Sequence, residues 1–309
     1  MKKFFIKILL LLVVIIVVDF LLGFVLDKMM ANQKSELYGE ITWVKKNKPD
    51  IIVLGTSKAS HGYIPEIITK GIDYSCYNLG QDGSNVIATL AIISNILQIY
   101  TPKIIIYDLI GQEFDMEMVS SARFKNELPY IKNNEKIIHL IKEEDKYFTL
   151  RTLSKLYPYN NRLLPLVTGL FQEYDFVKLY GYKPLYDNKL EDALKTETKY
   201  DYRTENENNV LKQAFKELLE EIKDRNIELV LINSPQWFFA DGSPKYEFSQ
   251  SLAAILKQYE INIYEIGTQN YPQLNNKQYY RDMAHLNHEG AMVFSGILNQ
   301  LLKDKLLNP

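Results

Sequence analysis

Five predicted strands, the first of them a short continuous apolar run, alternate with stretches of helical spacing, and this alternation constrains the fold more than any other feature. Short continuous apolar runs are typical of parallel strands that are covered on both faces. Parallel strands need long crossover connections, which the intervening helical stretches can provide. We therefore predict an α/β fold in which a five-stranded parallel sheet lies between helices. The predicted strands are Ile51–Leu54, Tyr74–Leu79, Ile104–Leu109, Glu228–Ile232 and Ile261–Ile266.

Helices are predicted between and after these strands, but one long segment does not follow the alternation. From about residue 114 to residue 202 there is no clear strand, and helical pieces are predicted at Glu135–Glu144 and Leu150–Leu156. We interpret this segment as a mostly helical insertion after the third strand. Open α/β sheets bind ligands at the carboxyl ends of their strands, so an insertion that leaves this edge could form a lid or a substrate wall. The alternative is a structural cap. The other predicted helices are Val86–Tyr100, Asn206–Asp224, Tyr246–Tyr259 and Glu289–Lys305.

The N-terminal segment is predicted to be a membrane anchor. Lysines open the chain, and the run Phe4–Leu26 is almost wholly apolar, about 23 residues or roughly 34 Å of helix, enough to cross a bilayer core of about 30 Å. No small-x-small cleavage site follows, so we favour an uncleaved anchor over residues 1–32 rather than a signal peptide. The lysines precede the span, so the positive-inside rule places the domain of residues 33–309 outside the cytoplasm, on the periplasmic or cell-surface side.

Two details of this region carry their own expectations. Asp19 interrupts the apolar run, and an acid this deep is costly unless it is paired or near the interface. It is expected either to contact a partner helix or to be tolerated in a marginal anchor. Residues 27–48 are polar and are predicted to form a helical stalk.

Composition argues against several classes of site. The formal net charge of -2 gives no sign of a basic face, so no nucleic-acid partner is expected. A single cysteine, Cys76, rules out an internal disulfide and is predicted to be a buried core residue. The Cys and His spacings of zinc sites are absent, so no metal is expected.

Two polar motifs at opposite ends of the chain predict a site. Ser57 follows the first strand in the segment GTS, and a serine becomes a good nucleophile only when a base and an orienting acid lie near it. His285 follows Asp282 in a D-x-x-H spacing, which lets one turn bring the carboxylate to the imidazole Nδ1 and leaves Nε2 for a serine. The alternative interpretation is a polar cap of the last helix, formed by Asn287 or His288.

These motifs resemble the first and last motif blocks of the SGNH, or GDSL-like, hydrolase family. The family's second block, an asparagine that ends strand two followed by two glycines, is matched by Asn78, Gly80 and Gly83 in NLGQDGSN. Its third block, G-x-N-D, is represented by Gly111 and Gln112 in IGQEFD, where glutamine stands in place of asparagine. The resemblance covers residues 51–301 apart from the insertion, and the anchor is similar to that of membrane-anchored members.

The resemblance implies a flavodoxin-like three-layer α/β/α fold and a catalytic triad of Ser57, His285 and Asp282. It also implies an oxyanion hole formed by the backbone N–H groups of Ser57 and Gly83 and by the side-chain amide of Gln112. Glutamine offers the same donor on a longer stem, so this departure bears on catalytic efficiency more than on reaction class. The ordinary α/β-hydrolase fold is disfavoured, because its serine lies in a G-x-S-x-G turn.

The sequence therefore predicts a serine esterase that acts, without a cofactor, on acyl esters of cell-surface or exported polysaccharide, O-acetyl esters above all. Lys58, His61 and Trp237 are candidate substrate-binding residues; a solvated lysine, a packed histidine and a buried tryptophan are the alternatives. Two other functions stay open. One is an O-acyltransferase that uses a polysaccharide hydroxyl and a membrane acyl-donor partner, and the other is a non-catalytic glycan-binding module.

Overall fold

The computed structural model describes most of the chain. The described residues are 1–34, 36–111, 113–114, 124–132, 134–160, 162–171, 178–196, 207–238, 242 and 248–307.

A five-stranded parallel sheet forms the centre of the molecule. Its strands are β1 (Ile51–Gly55), β2 (Cys76–Asn78), β3 (Ile104–Asp108), β4 (Glu228–Asn233) and β5 (Ile263–Glu265). The strand order is β2-β1-β3-β4-β5, which is the flavodoxin-like order, and every pairing is parallel. β2 and β5 are shorter than predicted, because they are the edge strands and pair on one side only. The predicted α/β fold with a five-stranded parallel sheet is confirmed.

Helices cover both faces of the sheet. They are α1 (Lys2–Ala31), α2 (Glu36–Asn47), α3 (Ser57–Gly62), α4 (Pro65–Ile68), α5 (Val86–Leu97), α6 (Leu128–Ile131), α7 (Glu135–Glu144), α8 (Phe148–Thr152), α9 (Leu163–Thr168), α10 (Leu190–Thr196), α11 (Asn209–Asp224), α12 (Gln250–Gln258) and α13 (His288–Leu307). Short 3-10 turns lie at Tyr157–Tyr159, Pro272–Leu274 and Lys277–Tyr279.

Alternate residues of the strands enter two separate cores. Ile52 and Leu54 of β1 pack into the core that includes α5, α11 and α12. Ile51 and Val53 pack into the core on the opposite face, which includes α3, α4 and α13. This alternation gives the three-layer arrangement and explains why β1 is buried at every position.

Side-chain caps explain where two helices begin. The Asn208 Oδ1 accepts hydrogen bonds from the backbone N–H groups of Val210 and Leu211, so α11 begins at Asn209 rather than at residue 206. The Ser249 Oγ accepts from the N–H group of Leu252, and α12 begins one residue after this cap rather than at residue 246. Residues 206 and 246 themselves lie outside the described residues.

The N-terminal helix α1 is the one helix among the described residues that is long and apolar enough to cross a membrane. Its length and composition suit an anchor or a signal sequence. The predicted stalk is helical, but it does not stand apart from the domain. In α2, Leu37, Ile41 and Val44 recur at helical spacing and are buried in the core that includes α5.

The described part of the insertion is mostly helical and packs against three parts of the molecule, one of which is α1. α6 and α7 pack on the layer formed by α5 and α11, as a structural cap would. A later segment crosses the carboxyl edge of the sheet, where the Tyr180 carbonyl accepts from the Asn78 N–H group and the Lys183 N–H group donates to the Ser60 carbonyl. The helix predicted at Leu150–Leu156 is shorter than expected, because α8 ends at Thr152. Within the insertion, residues 115–123, 133, 161, 172–177 and 197–202 lie outside the described residues.

Candidate active site

Ser57 lies at the carboxyl end of β1, where the chain turns sharply into α3. Gly55 has φ +139°, and a Cβ there would lie 2.9 Å from both the Asp108 carbonyl oxygen and the Ala59 Cβ. A side chain at this position is therefore excluded by backbone conformation and by contact with β3. The tight turn presents Ser57 at the edge where ligands bind in sheets of this order.

The structure brings the three residues of the predicted triad together. The Ser57 Oγ lies 2.7 Å from the His285 Nε2. On the other side of the ring, the His285 Nδ1 lies 2.8 Å and 3.0 Å from the two carboxylate oxygens of Asp282. A proton on Nδ1, held by the carboxylate, leaves Nε2 to accept the serine proton. This arrangement fits a nucleophile, its base and the acid that orients the base.

Asp282 is held as a carboxylate by its own loop. Its Oδ1 accepts hydrogen bonds from the N–H groups of Ala284 at 2.9 Å and His285 at 3.0 Å. Burial opposes ionisation of this carboxyl group, but the hydrogen bond and charge of His285 and the two backbone donors outweigh it and hold the pKa of Asp282 well below its usual range. The group therefore stays ionised whenever the imidazole acts as a base.

Asn78 ties the second motif block to the helix that begins with Ser57. Its buried Nδ2 donates to the carbonyl groups of Ala59 at 2.8 Å and Tyr63 at 2.9 Å, and its Oδ1 accepts from the Gly80 N–H group at 2.9 Å. A Cβ at Gly80 would collide with the Ser60 backbone nitrogen. The asparagine and the glycine thus act on the position of α3, a role that the motif alone did not specify.

The structure describes the positions of only some of the predicted oxyanion-hole donors. Gly83 lies in the turn between β2 and α5, with φ +67°. Because β2 and β1 are parallel neighbours, this turn lies at the same edge of the sheet as Ser57. Gly111 lies in the turn after β3, and Gln112 lies outside the described residues. The assignment of the hole to Ser57, Gly83 and Gln112 therefore stays a prediction.

Lys58 belongs to α3, and its side chain is buried near acidic groups. Burial lowers the pKa of the Lys58 amino group, and the nearby charge of Asp108 opposes that shift. Asp108 accepts from the Ser234 hydroxyl at 2.8 Å, and burial raises its pKa. Glu113 accepts from the Tyr107 hydroxyl, and burial raises its pKa to about 7. Lys58, Asp108 and Glu113 are all buried, whereas a substrate-binding lysine would be expected at the open edge of the site.

His61 and Trp237 lie beside the triad. The ring centroids of His61 and His285 are 6.0 Å apart, and the His61 Nδ1 lies 2.6 Å from the Lys183 carbonyl oxygen of the insertion. The backbone N–H group of Trp237 donates to the carbonyl of Met283, in the loop that carries Asp282 and His285. Both side chains are partly buried, so each combines packing with a place at the rim of the site.

Arg281 is a residue of the site that the sequence did not single out. Its Nη1 lies 3.1 Å from the Asp282 Oδ2, and its Nε donates to the Asp187 Oδ1 at 2.9 Å. The guanidinium group therefore links the triad acid to the last part of the insertion. An arginine directly before the motif aspartate was the available signal. Among the described residues, no group of three or more His, Cys, Asp or Glu is arranged to hold a metal ion.

Comparisons with known proteins add little to this geometry. No family model matches the sequence, and no curated protein matches it. Among solved structures, the chain is similar to the crystal structure of a candidate acylhydrolase from Bacteroides fragilis NCTC 9343, with 10% sequence identity, a TM-score of 0.36 and coverage of 83% of this chain and 87% of the other. So weak a superposition supports neither a shared fold nor a shared function, and the case for the site rests on its own residues.

Proposed function

We propose that the protein is a serine-dependent enzyme of the SGNH type that cleaves acyl esters. The observation that carries this proposal is the continuous line of hydrogen-bonding distances from the Ser57 Oγ through His285 to Asp282. A structural cap of α13 would need neither the serine at 2.7 Å from Nε2 nor a carboxylate held ionised behind the ring. The SGNH assignment itself is supported by the order of the four motif blocks along the strands.

In the proposed reaction, the Ser57 oxygen attacks the acyl carbonyl while the His285 Nε2 takes the serine proton. The tetrahedral intermediate collapses, the bond to the leaving alcohol breaks, and His285 returns the proton to the alcohol oxygen. Water then attacks the acyl carbon on Ser57 and gives a proton to His285. The second tetrahedral intermediate collapses, the bond between the acyl carbon and the Ser57 oxygen breaks, His285 returns the proton to that oxygen, and the carboxylic acid leaves. Asp282 stabilises the imidazolium in both steps without taking its proton.

The negative charge on the carbonyl oxygen needs donors that are in place before the reaction. We assign this role to the N–H groups of Ser57 and Gly83 and to the Gln112 amide, and loss of one such donor typically costs about 10²–10³ in kcat. No cofactor enters this mechanism, because the serine, the base and the backbone donors supply each step.

For the substrate, we propose acyl esters on cell-surface or exported polysaccharide, O-acetyl esters above all. The apolar α1 supports this choice, since a membrane anchor with lysines before it would place the domain outside the cytoplasm. His61, Trp237 and the segment from Tyr180 to Lys183 stand beside the triad, where they could contact a large polar substrate. If an acceptor hydroxyl replaces water, the same site catalyses acyl transfer.

The test is hydrolysis of p-nitrophenyl acetate by the full-length protein in detergent, with Ser57→Ala as the variant. Ser60→Ala, which alters a second serine of the same helix α3, is the matched control. We expect turnover in the wild type and in Ser60→Ala, and loss of turnover in Ser57→Ala. Equal background rates in all three proteins would contradict a general esterase. Acyl transfer to a polysaccharide acceptor, or glycan binding without chemistry, would then account for the site.

A further inference from the structure

The insertion exposes a group of large apolar side chains next to the N-terminal helix. They lie on α8, on α9 and in the chain just after each, and their exposed fractions run from 47% to 83%. On a surface that faces water, so many large apolar groups close together are uncommon, and they mark a contact with a partner or a membrane. We call them the insertion's apolar surface: Leu150, Leu153, Leu163, Leu164, Val167 and Phe171.

The insertion is bound to α1 at two levels and to the chain just after α1 at a third. Nearest the N-terminus, Asp19 accepts from the Ser154 hydroxyl at 2.5 Å and from the Lys155 N–H group at 2.7 Å. About two turns further along, Asp27 pairs with Lys132 and accepts from the Tyr159 hydroxyl. The insertion therefore lies against the C-terminal part of α1, from Asp19 to Asp27.

The next contact lies just beyond the end of α1. The Gln33 side-chain amide donates to the Leu166 carbonyl at 2.6 Å, which attaches α9. Between Asp19 and Asp27, a Cβ at Gly23 would collide with the Cβ of Lys155. A glycine within the apolar run is thus explained by the close approach of the insertion backbone.

The position of Asp19 along α1 sets the depth of the insertion. The apolar run Phe4–Leu26 is about as long as the bilayer core is thick, and Asp19 lies roughly 10 Å before its end. When the whole run spans the core, the segment around Ser154 therefore reaches into the hydrocarbon of the nearer leaflet. Placing Asp19 at the interface instead would leave only about 22 Å of apolar helix for a core of about 30 Å.

At this depth in the membrane, the backbone N–H groups of the segment need acceptors on the protein, and the Asp19 carboxylate provides them. Irregular backbone is tolerated within a membrane only where its polar groups are satisfied by protein. Here the N–H groups of Lys155 and Leu156, just past the end of α8, both donate to the Asp19 carboxylate, at 2.7 Å and 3.4 Å. The acid and the irregular segment thus satisfy each other, and Asp19 contacts its own chain.

The space between α8 and α9 has the character of an interfacial site. Leu150 and Leu163 line a cleft of about 480 Å³ together with polar groups that include Arg151, Ser154 and Asn160. The Lys155 amino group lies 5.7 Å from the centroid of the Phe20 ring of α1. Apolar side chains beside cationic and amide groups are the mixture found where acyl chains meet head groups.

From these contacts we propose that the insertion's apolar surface enters the lipid of the leaflet nearest the domain, beside α1. The occupant of this surface is the bilayer itself, because the surface continues the lipid-facing surface of a helix long enough to span it. The domain is then held at a fixed depth by two elements rather than tethered by one. This proposal rests on insertion of α1 and not on the chemistry of Ser57.

The experiment places single spin labels on the full-length protein in vesicles of phosphatidylethanolamine and phosphatidylglycerol. Cys76 is replaced by alanine, and labels are attached to Leu153→Cys and Leu164→Cys in separate proteins. Leu12→Cys in α1 is the lipid reference. Met292→Cys, an exposed apolar position on α13 in the opposite layer, is the water reference. The measurement is the relaxation of each spin label by oxygen, which concentrates in lipid, and by a nickel chelate, which stays in water.

We expect the nickel accessibility of the labels at 153 and 164 to fall to the level of the label at 12, with a matching rise in oxygen accessibility. Nickel accessibility equal to that at 292 would overturn the proposal, as would a label at 12 that remains in water. Labels that are open to nickel in lipid vesicles but protected in native membranes would also overturn it. That outcome would identify a membrane protein as the occupant. Two independent positions guard against a local effect of either substitution.

Discussion

Asp282 and Asp19 organise two distant regions of the molecule by the same physical means. Asp282 accepts hydrogen bonds from the N–H groups of Ala284 and His285 and from the ring of His285, all within one short loop. Its donors follow it directly in the chain, so the loop can form with little help from the rest of the fold. The result is a rigid loop that points the imidazole at Ser57.

Asp19 also accepts hydrogen bonds from a hydroxyl and two backbone N–H groups, but these donors lie 135 or more residues further along the chain. The contact therefore requires that the sheet, the helical layer and the insertion are already in place. The local hydrogen bonds of Asp282 set the geometry of the triad, whereas the long-range hydrogen bonds of Asp19 set the position of the domain against α1. Substitutions at the two acids should consequently have separable effects.

The largest separation is expected in the rate of ester hydrolysis. In Asp282→Asn, the amide can no longer hold the His285 proton on Nδ1 and stabilise the imidazolium, so kcat should fall by roughly 10⁴-fold. In Asp19→Asn, kcat should stay at the wild-type value, because Asp19 does not touch the triad. Turnover of p-nitrophenyl acetate by both full-length variants in detergent measures this difference. Similar losses in the two variants would show that the regions are coupled.

The second separation concerns local stability of the insertion. Asp19→Ala removes the acceptor of the Lys155 N–H group and one of two acceptors of the Leu156 N–H group, which also donates to the Ser154 Oγ at 3.2 Å. Because both donors are only partly buried, the loss should cost about 1 kcal/mol, the low end of the range for an unsatisfied donor. We expect trypsin to cleave after Lys155 at least several-fold faster in this variant in detergent. Asp282→Asn is the control and should be cleaved there at the wild-type rate. An unchanged rate in Asp19→Ala would mean that other contacts hold the segment.

A smaller difference is expected in the pH dependence of folding. The pKa of Asp282 is depressed in the folded protein, so as the pH falls below its ordinary value of about 3.9, the unfolded chain takes up the proton first. The free energy of unfolding should then decrease, and Asp282→Asn should lack this part of the decrease. After allowance for partial exposure, we expect a difference of about 1 kcal/mol.

Urea unfolding midpoints between neutral pH and about pH 3 measure this effect. Asp192→Asn, which alters an exposed carboxylate on α10, is the matched control and should follow the wild type. A parallel decline in Asp282→Asn and the wild type would contradict the depressed pKa.

The smallest effect is expected at Arg281, which links Asp282 to Asp187 of the insertion. The guanidinium group is partly exposed, and exposed ion pairs contribute about 0–1 kcal/mol, so Arg281→Gln should lower kcat/KM by no more than about fivefold. A loss as large as that of Asp282→Asn would place Arg281 among the groups that contact the substrate.

The same contrast explains what could be predicted from the sequence. Short apolar runs at β1 and β3 identified the sheet, because burial on both faces leaves a continuous apolar run. The D-x-x-H spacing identified the loop of Asp282 and His285, because its hydrogen bonds are local. Its link to Ser57 spans 228 residues, and the sequence indicated it only through the need of a serine nucleophile for a base and through the resemblance to SGNH motif blocks.

Long-range contacts were beyond the sequence. Nothing near Asp19 in the chain shows that Ser154 is its partner, and nothing near Asn78 shows that it binds the carbonyl groups of Ala59 and Tyr63. The packing of the predicted helical stalk against the domain is long-range in the same sense. The polar character of residues 27–48 was visible, but the apolar stripe of α2 finds its partner only in the folded domain.

The most direct test of the account is covalent labelling of the full-length protein with a fluorophosphonate, followed by peptide mass spectrometry. Such a reagent reacts with a serine whose hydroxyl is activated by a base. The geometry at His285 predicts one adduct on Ser57, formed in the wild type and in Asp19→Asn, and lost or greatly slowed in His285→Ala. An unlabelled Ser57 in a folded wild-type protein, or equal labelling in His285→Ala, would contradict the claim that His285 activates this serine.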